Sequence, residues 1–505
     1  MNKLQVEAKQ GHIEREGLEV VVATHFEGEA GLKAEAAVFD KALGGTLLEV
    51  VKSGEFEGKI GETLLVHSQG KIPSKRLLLV GLGKKKDFQL DSLRQAFGHA
   101  VRRVRHAKAG AFAAALPPLL PRGGTAIDAA QAMTEGAILG SYQFTEYRSE
   151  NNGAPKEVTH FVVVTSDKGK LKQIVEGVRR GTATAEAAVL TRDLCNHPSN
   201  VMTPTRIAEE AKTIAKEQGV TLKILEKDEM EELGMGALLG VARGSHEPPK
   251  FIILEYKGPK TTKESRPIVL VGKTITFDTG GISLKPADNM EQMKADMTGG
   301  AEVLATLRAV ARLRLSTHVI GLLPVAENMP GGRAMKPGDI VKTLSGKTVE
   351  VQNTDAEGRL ILADALAYAA RYKPAAVIDI ATLTGACVVA LGQFAIGMFG
   401  TNETLKRRVQ AAGQKSGERV WEMPLWDEYF EQLKSDVADM RNIGGRGGGM
   451  ITAALFLSKF AAEYPWVHLD IASTDWSERE RAYLPKGPTG IGTRLLLQYV
   501  VDQAR

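Results

Sequence analysis

Cysteine is scarce in this chain, because only Cys195 and Cys387 occur among its 505 residues. They lie far apart, so we expect two reduced, buried thiols and no disulfide framework. Residues 1–5 lack the apolar core of a signal peptide. The most apolar stretch, residues 375–391, contains Asp379 and several threonines, which predicts a buried strand and loop in place of a membrane span. We therefore expect a cytoplasmic protein.

Histidine is also sparse, and none of the ten histidines forms a His-Glu-x-x-His pattern, which excludes a zinc protease site of that type. The net charge of +5 is small for this length and does not by itself indicate nucleic acid as a partner. The share of hydrophobic residues, 43%, is that of an ordinary globular protein. A chain of this length exceeds one average domain, so we expect two.

The first third of the chain alternates strand and helix patterns, which predicts a small α/β domain over residues 1–169. Polar residues 149–155 indicate a loop. Residues 170–194 predict a long helix that connects this domain to the remainder of the chain. The strands predicted in this third are 18–23, 76–80 and 160–165, and the helices are 91–108 and 126–139.

The remainder, residues 195–505, alternates again, and its strand patterns are nearly continuous apolar runs. Such runs are typical of strands that are covered on both faces. They predict a larger α/β domain with a mostly parallel central sheet, in which active sites lie beyond the carboxyl ends of the strands. The predicted strands are 268–271, 319–325, 376–380 and 467–471, and the predicted helices are 301–313, 360–372, 453–464 and 493–501.

Charged residues concentrate in two segments that border apolar sequence. Residues 353–360 read Asn-Thr-Asp-Ala-Glu-Gly-Arg-Leu, and an acid-rich and lysine-rich segment spans residues 273–285, with Asp296 shortly after it. Charges this dense are costly to bury unless they are paired. Together the segments offer four carboxylates, two lysines and one arginine: Asp278, Asp296, Asp355, Glu357, Lys273, Lys285 and Arg359.

A metal ion is the natural partner for these carboxylates. Four converging carboxylates would otherwise repel one another and shift to neutral forms, whereas two divalent cations remove the repulsion. Carboxylate-rich ligation suits zinc, manganese or magnesium, and the absence of His and Cys from the motifs argues against a structural zinc. Chemistry alone favours Lys273 as a counter-charge to the acids, since an ammonium must lose its proton before it can bind a metal.

These segments resemble the leucyl aminopeptidase family, cytosolic two-metal exopeptidases that include bacterial aminopeptidase A. The similarity covers roughly residues 190–500 and extends through residues 192–204, 326–329, 379–386 and 442–445. It implies that residues 195–505 form a metallopeptidase domain. It also implies hydrolysis of the N-terminal residue of peptides, Leu-like residues preferred, by a hydroxide that bridges two manganese or zinc ions. A homohexamer is implied as well.

The resemblance also assigns the metal ligands. It implies that Asp278 and Glu357 bridge the two ions, that Asp355 completes one coordination shell, and that Lys273 and Asp296 complete the other. Metal binding by Lys273 requires its neutral form, which nearby cations favour. One ion would capture the free α-amine of the substrate, which would explain why an internal residue is not released.

The remaining site residues follow from the same resemblance. Lys285 is implied to stay charged and to stabilise the scissile carbonyl. Arg359 is implied to hold a bicarbonate that acts as general base; the alternative is a salt bridge that only stabilises the loop. Asp475 either faces the pocket, where it would add tolerance for Lys or Arg, or is an exposed loop residue. The first side chain of the substrate is implied to contact Met293, Thr382, Gly385 and Ala472.

Two other functions stay open at this point. A narrower dipeptidase would share every motif, and only a panel of substrates would separate it from an aminopeptidase. The alternative that is not an enzyme is a DNA-binding or scaffold protein whose site is vestigial. Its sequence signal is the basic cluster at residues 102–108, which we interpret as a solvated helix end in preference to an anion or DNA contact.

Overall fold

The computed structural model describes residues 4–149, 157–262 and 264–504. Most of the loop predicted at residues 149–155 therefore lies outside the described residues. The chain divides into two compact units, Met1–Val189 with Glu478–Lys486, and Leu190–Ser477 with Gly487–Arg505. Within the described part of the chain, no helix is both long enough and apolar enough to cross a membrane.

The first unit is built around a six-stranded sheet with helices on both faces. Its strand order is β1-β6-β5-β2-β4-β3, and every pair is parallel except β3 with β4. Alternate residues of β2 enter different apolar clusters: Val20 and Val22 pack with α3 and α4, whereas Val21 and Ala23 pack with α1 and α2. The elements are β1 Gln5–Gln10, β2 Val20–His25, α1 Ala34–Ala42, α2 Thr46–Ser53, β3 Thr63–His67, β4 Arg76–Gly81, α3 Leu90–His106, β5 Ala111–Ala115, α4 Ala126–Ser141, β6 His160–Thr165 and α5 Lys168–Asn196.

The basic cluster at residues 102–108 lies at the end of α3, but the interpretation as a solvated helix end is wrong for two of its arginines. Arg105 is buried, and the Arg102 side chain is only 12% exposed and pairs with Glu480 at 3.0 Å. Arg102 Nε also donates to Gly140 O at 3.3 Å. Helical spacing puts Arg102 and Arg105 on the same face of α3, which packs against α4, so the cluster is not one free cationic surface.

The second unit contains a nine-stranded sheet. Its order is β16-β15-β18-β14-β9-β11-β8-β7, with β10 paired to β11. The elements are α6 Pro204–Gln218, β7 Thr221–Leu225, α7 Lys227–Leu233, α8 Gly236–Ala242, β8 Lys250–Lys257, β9 Ile268–Gly272, β10 Thr274–Asp278, α9 Thr298–Arg312, β11 His318–Asn328, β12 Ile340–Lys342, β13 Thr348–Glu350, α10 Glu357–Ala369, β14 Ala376–Ala381, α11 Gly385–Leu391, β15 Ile396–Gly400, α12 Glu403–Ser416, β16 Val420–Glu422, β17 Met440–Arg441, α13 Gly449–Ser458, β18 Trp466–Asp470, β19 Trp476–Ser477, β20 Gly487–Pro488 and α14 Thr493–Gln503.

The centre of this sheet is parallel, as β9, β11, β14 and β18 run in one direction. Antiparallel pairs occur farther out, where β8 joins β11 and β15 joins β18. Val269 and Val271 of β9 pack in the cluster that includes α10, and the intervening Leu270 is fully buried outside that cluster. The sheet is therefore covered on both faces, and the predicted α/β fold with a mostly parallel central sheet is confirmed.

The predicted elements with continuous apolar sequence are confirmed within a few residues, including the long helix α5. Three elements differ from the prediction. The acid-rich segment after the strand predicted at 268–271 contains a further strand, β10, which ends at Asp278 and pairs with β11. The helix predicted at 453–464 begins and ends earlier, as α13. The loop predicted after the strand at 376–380 contains a short helix, α11.

Candidate metal centre

The acid-rich segments meet at the carboxyl ends of the central strands. Lys273 follows β9, Asp278 ends β10, and Thr382 follows β14. Because β9 pairs in parallel with both β11 and β14, these strands end at one edge of the sheet. The backbone at Lys273 is fixed on both sides, since its N–H donates to Ile380 O at 3.1 Å and its carbonyl accepts from Gly300 N at 2.7 Å.

The second arm of the site is the loop that leads into α10. Glu357 is the first residue of this helix, where the positive end of the helix dipole favours a carboxylate. Asn353 Oδ1 accepts from the N–H of Asp355 at 2.8 Å, which fixes the turn that precedes the helix. Asn442 anchors the same loop through a hydrogen bond from its Nδ2 to Asn353 O at 2.6 Å.

Gly358 allows the two arms to approach each other. A Cβ atom at this position would lie 2.7 Å from Lys273 Nζ and 2.6 Å from Lys273 Cε. Real Cβ atoms do not tolerate such contacts, so the lysine side chain passes across the first turn of α10 only because residue 358 has no side chain.

The two lysines each join two carboxylates. Lys273 Nζ lies 2.7 Å from Asp296 Oδ1 and 2.8 Å from Glu357 Oε1, and it donates to Thr382 O at 2.9 Å. A second group forms around the other lysine. Lys285 Nζ lies 2.8 Å from Asp278 Oδ2 and 2.6 Å from Asp355 Oδ1. The structure therefore brings together all four carboxylates and both lysines that the sequence singled out.

Burial and mutual charge shift the pKa values of these groups. Burial lowers the pKa of Lys273, but attraction from Asp296 and then Glu357 outweighs it, and the net pKa lies above the usual value. Burial is also the largest cause of the raised pKa values of Asp296, Asp355 and Glu357. A cation among the carboxylates would reverse the field at Lys273, since a close positive charge disfavours the ammonium.

The donor set fits divalent cations. Asp278, Asp355 and Glu357 can each direct one carboxylate oxygen so that all three lie within 4.8 Å of one another. Asp296 Oδ2 and Glu357 Oε2 are buried and have no hydrogen-bond partner within the described residues. Such oxygens are costly to bury unless an ion or a donor satisfies them.

Asn328 belongs to the site but was not predicted as a site residue. Its Nδ2 donates to Asp278 Oδ1 at 2.7 Å and to Thr354 O at 3.1 Å, so it links the two acid-rich arms. Gly281 makes room for this contact, because its φ is 67° and a Cβ there would lie 2.8 Å from Asn328 Oδ1. A polar residue at the carboxyl end of a predicted apolar strand was the signal that could have identified Asn328.

Arg359 lies in the first turn of α10, close to the acids but outside the lining of the cavity beside them. Its Nη1 donates to Asn442 O at 2.9 Å. Its Nε is buried without a hydrogen-bond partner in the described part of the chain. Burial lowers the pKa of Arg359 to about 10, and Glu357 opposes the shift. The guanidinium thus anchors the loop and retains one unused donor.

A cavity of about 300 Å³ adjoins the centre. The carboxylates and lysines form part of its wall. The lining also contains the four predicted pocket residues, Met293, Thr382, Gly385 and Ala472. The structure therefore places charged groups that can hold metal ions in the same cavity wall as these four uncharged residues.

A buried carboxylate–lysine cluster at the strand ends of an α/β protein suits a metal-dependent hydrolase. Comparison with known families defines it further. Residues 189–497 match the family described as "Cytosol aminopeptidase family, catalytic domain", and residues 20–151 match its N-terminal domain. The chain belongs to the cytosol aminopeptidase family, which confirms the resemblance seen in the motifs, and it is a metallo-aminopeptidase.

Individual relatives cover nearly the whole chain. A probable cytosol aminopeptidase of Geotalea uraniireducens (strain Rf4) is 50% identical over 91% of this chain and 92% of its own length. One from Dechloromonas aromatica (strain RCB) is 44% identical over 99% of both chains. Among solved structures, a mutant of tomato leucine aminopeptidase is similar with a TM-score of 0.88 at 34% identity, covering 99% of this chain and 97% of that one. The bottromycin maturation enzyme BotP in complex with Mn has a TM-score of 0.84 at 36% identity, covering 96% and 100%.

Proposed function

We propose that this enzyme removes the N-terminal residue from peptides, prefers leucine-like residues, and needs two divalent ions per subunit. One observation carries the proposal: four carboxylates and two lysines share a cavity wall with Met293, Thr382, Gly385 and Ala472. The apolar surface of Met293 and Ala472 beside the carboxylates suits a leucine-like side chain, and Met adapts its shape readily. The Mn complex of the similar enzyme BotP supports manganese, while zinc remains an equal chemical fit.

Five residues would hold the ions. Asp278 and Glu357 are proposed to be shared between the two ions, Asp355 to complete one shell, and Lys273 and Asp296 the other. Divalent ions bound here would activate water and polarise the scissile carbonyl. The two buried oxygens without hydrogen-bond partners in the described residues, Asp296 Oδ2 and Glu357 Oε2, support this assignment.

Lys285 is proposed to donate a hydrogen bond from Nζ to the carbonyl oxygen as negative charge develops there. Its side chain is 23% exposed and lines the cavity, so a substrate can reach the ammonium group. Burial lowers the pKa of Lys285, but Asp278 and Asp355 outweigh burial and raise it, which keeps the group charged.

Arg359 is proposed to orient a bicarbonate ion near the reacting water. The buried Nε, which has no partner in the described residues, is the donor that suits an anion. The hydrogen bond from Nη1 to Asn442 O supports the alternative, a purely structural arginine. The two roles are distinguished by measuring the rate of Arg359→Lys and of wild type at several bicarbonate concentrations. If Arg359 orients bicarbonate, the wild-type rate depends on bicarbonate and the rate of the variant does not. A structural arginine predicts no such dependence in either protein.

We also propose a cytoplasmic homohexamer that acts on peptides. The names of the curated relatives support the location. A DNA-binding role is not favoured, because Arg102 and Arg105 of the only basic cluster singled out in the sequence are occupied or buried within the first unit.

The decisive experiment is hydrolysis of leucine p-nitroanilide by metal-stripped protein, with zinc, manganese or magnesium restored separately. We expect no activity without metal and recovery of activity with manganese or zinc. Elemental analysis of the active protein should give two ions per chain. Full activity with one ion or none would refute the two-metal proposal. A panel of dipeptides, including cysteinylglycine, tests the narrower dipeptidase at the same time.

A further inference from the structure

The cavity beside the metal centre carries one charged side chain that the proposed mechanism does not use. Six lining residues are assigned to metal binding or to the carbonyl group. Apart from these six, Asp475 is the only charged side chain among the described residues that line the cavity. The alternative of an exposed loop residue is therefore wrong, because Asp475 lines the cavity and is only partly exposed.

The backbone holds Asp475 in place. It lies in the turn after β18, where its N–H donates to Ile471 O at 2.9 Å and its carbonyl accepts from Thr489 N at 2.8 Å. Because the N–H and the carbonyl of Asp475 are both hydrogen-bonded, the position of its Cα at the cavity wall is fixed. Within the described residues, no side chain pairs with the Asp475 carboxyl group by an ion pair or a hydrogen bond.

Within the described residues, no cation is in ion-pair contact with the Asp475 carboxyl group. Burial raises the pKa of Asp475 to about 8; backbone N–H groups of Asp475 and Trp476 and the charge of Lys273 oppose the shift, and the charge of Asp470 adds to it. A buried carboxylate gains most from a ligand that brings a positive charge and hydrogen-bond donors with it.

The cavity offers space beside its apolar wall. Its volume is about 300 Å³, and the exposed Gly385 in its lining leaves open space where a side chain would begin. Met293 and Ala472 offer apolar surface for methylene groups. Lysine and arginine bury their aliphatic stems in this way while their charged ends reach a polar partner.

We propose that Asp475 is a specificity residue that lets this pocket accept lysine or arginine as the first residue of the substrate. The proposal rests on the aminopeptidase function proposed above. The cationic end of the first side chain pairs with the Asp475 carboxylate, and the stem contacts Met293 and Ala472. Leucine-like residues use the same apolar surface without the ion pair.

The test compares kcat/KM for leucine, lysine and arginine p-nitroanilides in metal-loaded wild type, Asp475→Asn and Asp475→Glu. We expect the arginine-to-leucine ratio to fall by about tenfold or more in Asp475→Asn, the scale of losing one partner of a buried charge pair. Asp475→Glu should keep most of the ratio. Asp436→Asn is the matched control, because the Asp436 side chain is fully exposed, and its ratio should equal that of wild type.

A binding measurement covers the case in which Asp475→Asn does not fold. Lysinol and norleucinol differ only in the terminal ammonium group, and calorimetry on the metal-loaded wild type should show tighter binding of lysinol. Equal binding, or an unchanged arginine-to-leucine ratio in a folded Asp475→Asn, would overturn the role of Asp475 and leave the aminopeptidase proposal intact. A wild type that hydrolyses none of the three anilides with any metal would refute both.

Discussion

Replacing Gly358 with Ala tests the packing that lets the two arms of the site meet. The new Cβ would lie within 2.8 Å of Lys273 Cδ, Cε and Nζ. The lysine cannot move away freely, because its Nζ contacts Asp296, Glu357 and Thr382 O. The substitution therefore pushes against a side chain that is held at its far end.

Two effects of opposite sign act on stability. Alanine in a helix is favoured over glycine by at most about 1 kcal/mol, and Gly358 is the second residue of α10. Overpacking a close-packed site costs about 1–3 kcal/mol. The clash should win by about 1–2 kcal/mol, which corresponds to roughly 5- to 30-fold in an equilibrium constant. Because the strain falls on Lys273, we expect it to appear as weaker metal affinity more than as a lower melting temperature.

The assay is calorimetric titration of metal-stripped Gly358→Ala with manganese and zinc, together with thermal unfolding and turnover. Gly332→Ala is the matched control, since a Cβ there would meet nothing within 4 Å. Wild-type metal affinity and turnover in Gly358→Ala would show that Lys273 adapts without cost and would refute the reasoning. If Gly332→Ala also lost metal affinity and turnover, the effect of Gly358→Ala could not be attributed to the clash with Lys273.

Three further outcomes are expected. Lys285→Ala should lower turnover by roughly 10²–10³, the scale of losing one oxyanion donor, while both metals stay bound. Lys273→Ala should instead lose metal affinity first. Parallel metal titrations and steady-state kinetics distinguish the two variants, and the reverse pattern would exchange the proposed roles of the lysines. Asp278→Ala and Glu357→Ala should lose more metal than Asp296→Ala, because a shared ligand serves two ions; equal losses by elemental analysis would count against sharing. Sedimentation should give a hexamer at working concentration, and a monomer would contradict that proposal.

The fold was predictable where local sequence carries the burial signal. The strand β9 is a continuous apolar run, and β14 and β18 are mostly apolar and fully buried, so their composition indicates strands that are covered on both faces. Strand β10 was missed because its sequence, Thr-Ile-Thr-Phe-Asp, is only five residues long and lies within a segment that was interpreted as a site motif. Its pairing with β11 depends on residues about fifty positions away in the chain, which no local pattern reports.

The same limit applies to the site. The residue types of the acids and lysines were enough to predict a metal centre, because four clustered carboxylates repel one another unless cations are bound between them. Asn328 and Asn442 act through amide hydrogen bonds to residues far away in sequence, Asp278 and Asn353. Asparagine is common in turns, so the position of Asn328 near a strand end is a weak sequence signal, and its hydrogen-bond partners are needed to define its role.

Burial supports the different roles that the resemblance implies for the two lysines. Both sit among acids and both line the cavity, but the Lys273 side chain is 4% exposed and the Lys285 side chain is 23% exposed. Lys273 is enclosed by α10 at Gly358 and by the carbonyl of Thr382, so a substrate has little access to it. Lys285 keeps part of its surface open beside Asp355. The lysine that can meet a substrate is thus the more exposed one, which suits Lys285 to the carbonyl oxygen and the enclosed Lys273 to the proposed metal shell.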